Sequence, residues 1–293
     1  MKVQVDGDVV VFRAGFGAEH AEYDVTYTDD TFGEEVLMTC RYKKDADDLV
    51  KQLEKLGHKP EVEKRRVVEP LSHALHNVSS ILHNILDTVN AGKDDTTVWF
   101  SCPSEENFRM QIGTIKPYKG NRDKAWRPTY EQDIKEYIIK NWNGKYAVGE
   151  EADDAMGIAQ MALPYGESVI VTNDKDLAMI PGYHYNFVKK ERYQVDEDTA
   201  AWLFWQQVIK GDPTDNIPGV PKIGDAKAEK AMADAWEEGK FDENKAYEIA
   251  RALYVQGYGD EEADEALVEN ARLVWIRRES DEMWNPPTQQ ENT

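Results

Sequence analysis

The chain of 293 residues has only two cysteines, Cys40 and Cys102. Two cysteines far apart in sequence exclude a disulfide framework and a CxxC metal site. The sequence also lacks any apolar run near the ~20 residues that cross a bilayer. Its start, MKVQVDGDVV, lacks the apolar core of a signal peptide. We therefore expect a cytoplasmic protein with no membrane partner.

Positive charge is also scarce, since 35 Lys and Arg stand against 56 Asp and Glu, a net charge of −21. This balance argues against general affinity for nucleic acid, because phosphate contacts need Lys and Arg. The charges are unevenly distributed, however. Six basic residues and one acid lie between Arg109 and Arg127, whereas sixteen acids and six bases lie from Asp234 to the end. A basic patch on an acidic chain is compatible with nucleic-acid binding.

The pattern of apolar residues predicts an α/β fold with a mostly parallel sheet, because strand-like and helix-like segments alternate. After residue 195 only helical patterns occur. We therefore expect an α/β body over residues 1–195, a helical domain over 196–285 and a disordered tail over 286–293. The predicted strands are 2–5, 36–42, 96–100, 145–148, 168–172 and 183–188, and the predicted helices are 45–56, 71–89, 128–142, 151–163, 199–210, 225–238, 243–256 and 261–277.

Acidic residues stand at the ends of successive predicted elements. They are Asp6, Glu151, Asp153, Asp154, Asp174, Asp176, Asp212 and Asp215. The carboxyl ends of parallel strands converge on one crevice, where carboxylates would repel one another unless cations neutralised them. Mg²⁺ suits such oxygen ligands, and two ions together promote phosphodiester hydrolysis. The sequence thus predicts a site for two or more Mg²⁺ ions, with Mn²⁺ as a substitute.

Each acidic group has an ordinary explanation when it is taken alone. Acids in GEEADD favour the start of a helix, NDKD is typical of a polar turn, and GDPTDN resembles an Asp-Pro loop. Only their order along the chain favours a shared site.

Five blocks carry a resemblance to a known family. They are VDGDVVVFRA (5–14), FRMQIGTIKPYKGNRDK (108–124), GEEADDAMGIA (149–159), VTNDKDLAMI (171–180) and GDPTDNIPGVPKIGDAKAEK (211–230). In these blocks and their order the chain resembles the bacterial and phage branch of the 5′–3′ exonuclease and flap endonuclease superfamily. The resemblance covers about the first sixteen residues and residues 96–235, and the last block is its most specific part.

The resemblance implies a three-layer nuclease body with a helical arch after Arg127 and a helix-three-turn-helix module. It implies that the eight acids bind metal. It assigns a catalytic role beside the scissile phosphate to Lys119, Arg122 and Arg109. It assigns DNA binding to Tyr118, as a base-stacking ring, and to Lys116, Gly219, Lys222, Gly224 and Lys227. Members often hold a potassium ion in the hairpin of the module, and the resemblance implies the same here.

The sequence departs from the family pattern in two places. An acid usually ends the strand before the FR motif, but here that position falls within residues 100–102, and Glu105 or Glu106 is the alternative donor. Ala226 and Ala228 stand where the family commonly has Lys and Thr, which predicts a looser grip on duplex DNA.

The resemblance implies a Mg²⁺-dependent 5′–3′ exonuclease or flap endonuclease that acts on DNA at 5′ ends, flaps and single-strand/duplex junctions. We expect a monomer that works as a stand-alone enzyme in a bacterial or phage-infected cell. Two alternatives stay open. One is a ribonuclease H-type nuclease that removes primers from RNA–DNA hybrids, and the other is a catalytically silent structure-specific DNA-binding protein.

Overall fold

The structure is a computed structural model that describes residues 1–29, 33–121 and 127–287. Its strands are β1 (Lys2–Asp6), β2 (Glu19–Asp29), β3 (Glu34–Cys40), β4 (Glu61–Val68), β5 (Thr96–Phe100), β6 (Gly144–Tyr146), β7 (Ser168–Val171), β8 (Gly182–Asn186), β9 (Glu191–Val195), β10 (Trp236–Glu237) and β11 (Lys240–Phe241). Its α-helices are α1 (Gly7–Phe16), α2 (Lys43–Lys55), α3 (Leu71–Val89), α4 (Arg109–Ile112), α5 (Glu131–Asn141), α6 (Ala152–Met161), α7 (Glu197–Lys210), α8 (Asp225–Ala233), α9 (Glu243–Tyr258) and α10 (Ala263–Val274). No helix in these described ranges is long and apolar enough to span a membrane.

The chain divides into two compact units. The first comprises Met1–Val9, Asn84–Trp126 and Tyr137–Thr293, and the second comprises Val10–His83 and Arg127–Glu136. The predicted boundary near residue 195 stays a prediction, as do the helical arch after Arg127 and the disordered tail. Residues 122–126, before the expected arch, and residues 288–293 of the expected tail lie outside the described part of the chain.

The first unit is built on a six-stranded sheet with the order β6-β5-β1-β7-β8-β9. All neighbours run parallel except the last pair, β8 and β9. The mainly parallel α/β fold is therefore confirmed. Val3 and Val5 of the central strand β1 are fully buried, and α6 packs on β1, β5 and β7. The shared direction brings the carboxyl ends of β1 and β7 to the same edge of the sheet.

Helices α7 to α10 share one apolar core with this sheet. Phe204 and Trp205 of α7 are fully buried in a cluster that also contains Ile170 of β7 and Tyr254 of α9. The predicted helix over 225–238 is too long, because α8 ends at Ala233 and β10 and β11 follow as a short hairpin. Glu238 and Gly239 have φ angles of 49° and 83°. This left-handed turn joins β10 to β11.

The second unit contains a three-stranded antiparallel sheet, β3-β2-β4, with α2 packed on it around Val25, Ala46 and Leu53. The sequence predicted α2 and β3 but missed β2 and β4. These strands carry many charged residues, and Arg65 of β4 bridges Glu22 and Asp24 of β2 at 2.6 and 3.0 Å. Such a charged face conceals the alternation of apolar residues by which a strand is recognised.

His184 of β8 makes the fold sensitive to acid. Its side chain is 1% exposed, its ring stacks on Tyr193, and its Nε2–H donates a 2.8 Å hydrogen bond to the carbonyl of Ile180. Burial lowers the pKa of His184 from 6.5 to about 4. The unfolded chain therefore binds a proton before the folded protein does. The neutral form of His184 therefore adds about 3 kcal/mol to the free energy of unfolding. This stabilisation is complete above the pKa of His184 in the unfolded chain and is lost as the pH falls to its pKa in the folded protein.

We expect His184→Gln to flatten the loss of stability between about pH 7 and about pH 4, because Gln does not titrate. Its side-chain amide is a donor that can replace the His184 donor to the Ile180 carbonyl. Urea unfolding at several pH values measures the effect. His73→Gln, at an exposed position, is the matched control and should follow the wild-type curve. Parallel curves for wild type and His184→Gln would contradict the assignment.

Candidate active site

The carboxylate of Asp6 ends the central strand. Its Oδ1 accepts a 3.0 Å hydrogen bond from the Val9 amide, and its Oδ2 accepts one of 2.7 Å from the Thr172 hydroxyl. The residue is 5% exposed. Burial raises the pKa of Asp6 to about 7, and the nearby charges of Asp8 and Asp174 raise it further against these hydrogen bonds. Its environment therefore disfavours the negative form unless a cation lies nearby.

Helix α6 brings a second acid to the same place. Asp153 lies in its first turn and keeps part of its surface exposed. Its pKa is raised well above the ordinary value, first by burial among protein atoms and then by repulsion from Asp6 and Asp174. The carboxylates of Asp6, Asp153 and Asp174, from three separate segments, therefore lie near enough for Asp6 and Asp174 to repel the charged form of Asp153.

The segment after β7 supplies the next two acids. The Asp174 amide donates to the Thr172 hydroxyl at 3.0 Å, and the Asp176 amide donates to Asp174 Oδ1 at 2.9 Å. Gln207 Nε2 lies 3.3 Å from Asp176 Oδ2. Burial, followed by the charges of Asp174 and Asp212, raises the pKa of Asp176 to about 6.

A second group of acids is already bound to a cationic side chain. The ammonium of Lys119 contacts Glu151 Oε1 closely and lies 3.6 Å from Asp215 Oδ2. The Tyr118 hydroxyl lies 3.1 Å from Glu151 Oε2 and 2.9 Å from Asp215 Oδ2. Asn107 Nδ2 donates to Glu151 Oε1 at 2.8 Å.

One cleft connects the two groups. Its acidic lining consists of Glu151, Asp153, Asp176, Asp212 and Asp215. Together with Asp6 and Asp174, the structure therefore gathers seven of the eight predicted acids. In the described part of the chain, no three acidic, histidine or cysteine side chains are already arranged around one point as metal ligands.

The donor set nevertheless fits hard divalent cations. Every acid in the cleft offers carboxylate oxygens. Lys119 shows that a positive group is accommodated between Glu151 and Asp215. The raised pKa values of Asp6, Asp153 and Asp176 reflect burial and repulsion that added positive charge would offset.

Asp154 and Arg109 differ from the prediction. Asp154 is fully buried, and both of its oxygens accept hydrogen bonds from Arg109, at 2.5 and 2.8 Å. Burial raises the pKa of Asp154, but Arg109 and the backbone amides of Arg277 and Glu151 together lower it below its ordinary value. Arg109 also donates to the carbonyls of Leu273 and Trp275. This pair links α4 and α6 to the end of α10. Arg109 also lines the acidic cleft, but its hydrogen-bond donors and the Asp154 oxygens are occupied within the protein.

Tyr118 and Gly219 also have different environments from those predicted. Tyr118 is 3% exposed, so its ring is not available to stack on a base. Gly219 has a φ of 58° and is buried against Gly211, where an added Cβ would lie 2.3 Å from the Gly211 nitrogen. The Gly219 amide donates to Asn270 Oδ1. Gly219 therefore allows two backbone segments of the protein to pack closely. Its backbone is not exposed for contact with a DNA phosphate.

The other predicted DNA-binding residues lie at the surface. Lys116, Lys222, Gly224 and Lys227 are exposed. The segment between α7 and α8 turns through Lys222, whose φ is 66°, and Gly224 precedes the first turn of α8. Their contacts with DNA and the potassium ion stay predictions. Arg122 lies outside the described residues.

In segment 100–102, where the resemblance leads us to expect an acid, Ser101 forms hydrogen bonds with the protein backbone and with Asp8. Ser101 Oγ accepts a hydrogen bond from the Ala152 amide at 3.1 Å, and the Ser101 amide donates to Asp8 Oδ2 at 3.0 Å. Ser101 thus fixes the start of α6. Glu105 and Glu106 are exposed and do not line the acidic cleft.

Three polar residues that orient the acids are not among the predicted site residues. Thr172 holds both Asp6 and Asp174, Asn107 holds Glu151, and Gln207 contacts Asp176. The only sequence signal was the position of Thr172 directly after a buried strand. Asn107 and Gln207 contact acids that are distant in sequence, so a local pattern does not reveal them.

Comparisons with known proteins agree with the motif order. A 5′-3′ exonuclease of Buchnera aphidicola subsp. Schizaphis graminum is 31% identical over 173 residues, 52% of this chain and 57% of that protein. The exodeoxyribonuclease of Enterobacteria phage T3 is 28% identical over 153 residues, 47% of this chain and 50% of that protein. The chain thus matches about half the length of these relatives. No family model matches.

Solved structures agree with the fold. A crystal structure of the phage T5 5′-exonuclease with divalent zinc ions bound has a TM-score of 0.51 at 20% identity. One of the T5 D15 protein co-crystallised with metal ions has a TM-score of 0.52 at 18% identity. Each comparison covers 68% of this chain and 80% of the other. The relatives confirm the resemblance to the bacterial and phage 5′–3′ exonuclease and flap endonuclease superfamily, and these structures confirm the fold.

Proposed function

We propose that this chain, with the motif order and fold of the bacterial and phage 5′–3′ exonucleases, is a divalent-metal-dependent nuclease that hydrolyses DNA phosphodiester bonds. It would act at 5′ ends and at 5′ flaps. The observation that supports this proposal is the set of seven carboxylates at the carboxyl edge of a mainly parallel sheet. Their burial and mutual repulsion are costly unless metal ions bind.

Two groups of acids would hold Mg²⁺ or Mn²⁺. One group consists of Asp6, Asp153 and Asp174, and the other consists of Glu151 and Asp215. Bound divalent cations supply the positive charge that stabilises a phosphodiester while water attacks it. The Thr172 hydroxyl keeps the Asp6 carboxylate in place and accepts a hydrogen bond from the backbone amide of Asp174. Lys119, once released from Glu151, would offset the charge that develops on the scissile phosphate.

The substrate would be recognised by its structure. The exposed lysines Lys116, Lys222 and Lys227 suit contacts with phosphates, and such contacts carry no base information. A net charge of −21 disfavours tight binding along uniform duplex, because few phosphates would be neutralised. DNA with a 5′ end beside a single-strand/duplex junction is therefore the favoured partner.

A catalytically silent DNA-binding protein is the second candidate. It is favoured by one observation, the use of Ser101 to hold the Ala152 amide where the family places an acid. Binding of a 5′-flap substrate with no cutting by the wild-type protein in Mg²⁺ or Mn²⁺ would support this candidate and overturn the nuclease proposal.

Replacing Asp174 and Asp176 together with Asn should lower 5′-flap cleavage by about 10³-fold, because ligand loss removes several kcal/mol of metal-derived stabilisation. Substrates labelled at each end would report the rate and separate exonuclease from flap products. Asp260→Asn with Glu261→Gln removes the same charge at exposed positions and should cut like wild type. Chelation of divalent ions should stop wild-type cleavage. Unchanged cutting by the Asp174/Asp176 variant would refute the assigned site.

A further inference from the structure

A recess of about 330 Å³ opens beside Asp174 and Asp176. Its remaining polar lining comes from three lysines, several amide side chains, Tyr193 and a third acid, Glu191. They include Lys175, Lys189, Lys210, Asn173, Gln206 and Gln207. The recess has the size of a small-ligand site. Its lining combines carboxylate and ammonium groups.

The lysines of this recess are accessible to a ligand. Lys175 and Lys189 are exposed, and within the described ranges neither forms an ion pair with an acid. Lys210 is bonded at 2.9 Å to Asp225, whose side chain is 88% exposed. An exposed pair of this kind contributes little and exchanges easily. A phosphate would therefore find available positive charge here, next to acids that a metal ion would neutralise.

Tyr193 gives the recess an aromatic surface. Its ring stacks on His184 with centroids 5.1 Å apart and planes 12° apart, so one face is supported by a buried side chain. Tyr193 itself is only partly buried and lines the recess. A fixed aromatic ring beside amide groups suits a nucleobase, because stacking is favourable for every base.

We infer that this recess binds the nucleotide adjoining the scissile phosphate, with its phosphate near Lys175 and Lys189 and its base against Tyr193. This inference rests on the proposed function. It places that nucleotide beside Asp174 and Asp176. Neither part of the lining alone would suffice. The ring supplies stacking without charge, and the lysines supply charge without a surface for the base.

Titration of thymidine 5′-monophosphate into the full chain with Mg²⁺, followed by NMR, tests the site without any cleavage. Lys189→Gln and Tyr193→Leu should each weaken binding at least about tenfold, as expected for a phosphate contact or a stacked base. Tyr193→Phe keeps the ring and should bind like wild type. Thymidine, which lacks the phosphate, should bind at least about tenfold more weakly than the nucleotide.

Arg192→Gln is the matched control, because Arg192 precedes Tyr193 in β9 and does not line the recess. It should leave nucleotide binding unchanged. Wild-type affinity in Lys189→Gln and Tyr193→Leu would overturn the inference, as would equal binding of thymidine.

Flap cleavage, assayed separately, keeps the two proposals distinguishable. Cleavage without nucleotide binding at the recess would overturn this inference and leave the nuclease proposal standing. Nucleotide binding in a protein that never cuts DNA would support the recess and overturn the nuclease proposal.

Discussion

Lys119→Met is expected to bind Mg²⁺ about tenfold more tightly than wild type while it loses cleavage activity. The Lys119 ammonium contacts Glu151 and lies 3.6 Å from Asp215. It therefore competes with a metal ion for the same oxygens. A hydrogen bond to a charged group contributes about 1.5–3 kcal/mol, and the substitution removes the cation that both carboxylates share. Loss of the same charge near the scissile phosphate should slow cleavage by about 10²-fold or more.

Calorimetric titration with Mg²⁺ measures the first effect, and flap cleavage measures the second. Lys116→Met removes a charge from an exposed position three residues earlier, and its Mg²⁺ affinity should equal that of wild type. Met is an unbranched replacement of similar length, so the backbone at Lys119, with a φ of 55°, gains no new steric strain. Weaker or equal Mg²⁺ binding in Lys119→Met would show that Lys119 does not occupy a cation position.

Arg109→Met is expected to lower the free energy of unfolding by about 3–5 kcal/mol, since it leaves the Asp154 carboxylate buried without its partner. Arg109→Lys should restore little of this loss. Lys cannot reproduce the two hydrogen bonds to Asp154 together with those to the carbonyls of Leu273 and Trp275.

Urea unfolding of Arg109→Met, Asp154→Asn and the double variant gives the coupling between the two residues. The double variant should be more stable than the sum of the single losses predicts, because neither charge is then left buried alone. Arg251→Met breaks an exposed pair with Asp264 and should change stability little. An Arg109→Met protein as stable as Arg251→Met would contradict the structural role.

The acidic site could be predicted from sequence because its chemistry is local to strand ends and helix starts. Asp6 and Asp174 follow strands, and parallel strands ending at one edge bring them together without further information. The different fates of Asp153 and Asp154 could not be predicted. Adjacent residues on a helix point in different directions, and only the packing of α6 decides which one faces the cleft and which one meets Arg109.

The same limit applies to the fold. A motif that contains Tyr118 and Lys119 does not reveal that the ring is buried and that the ammonium binds Glu151. Strands β2 and β4 escaped prediction because their exposed faces carry charges instead of an apolar alternation. Residues 2–5 and 168–172, by contrast, show their strand character directly, since β1 and β7 lie inside the sheet.

The central place of β1 in its sheet bears on how the chain acquires its structure during translation. Lys2 pairs with Ser168, and Val3 pairs with Thr96. Of the strands in this sheet, β1 leaves the ribosome first, and its second neighbour appears only after more than half of the 293 residues are made. Pairings this distant in sequence form slowly. An unpaired strand edge can meanwhile recruit other chains, so the nascent protein is most prone to aggregate before β7 emerges.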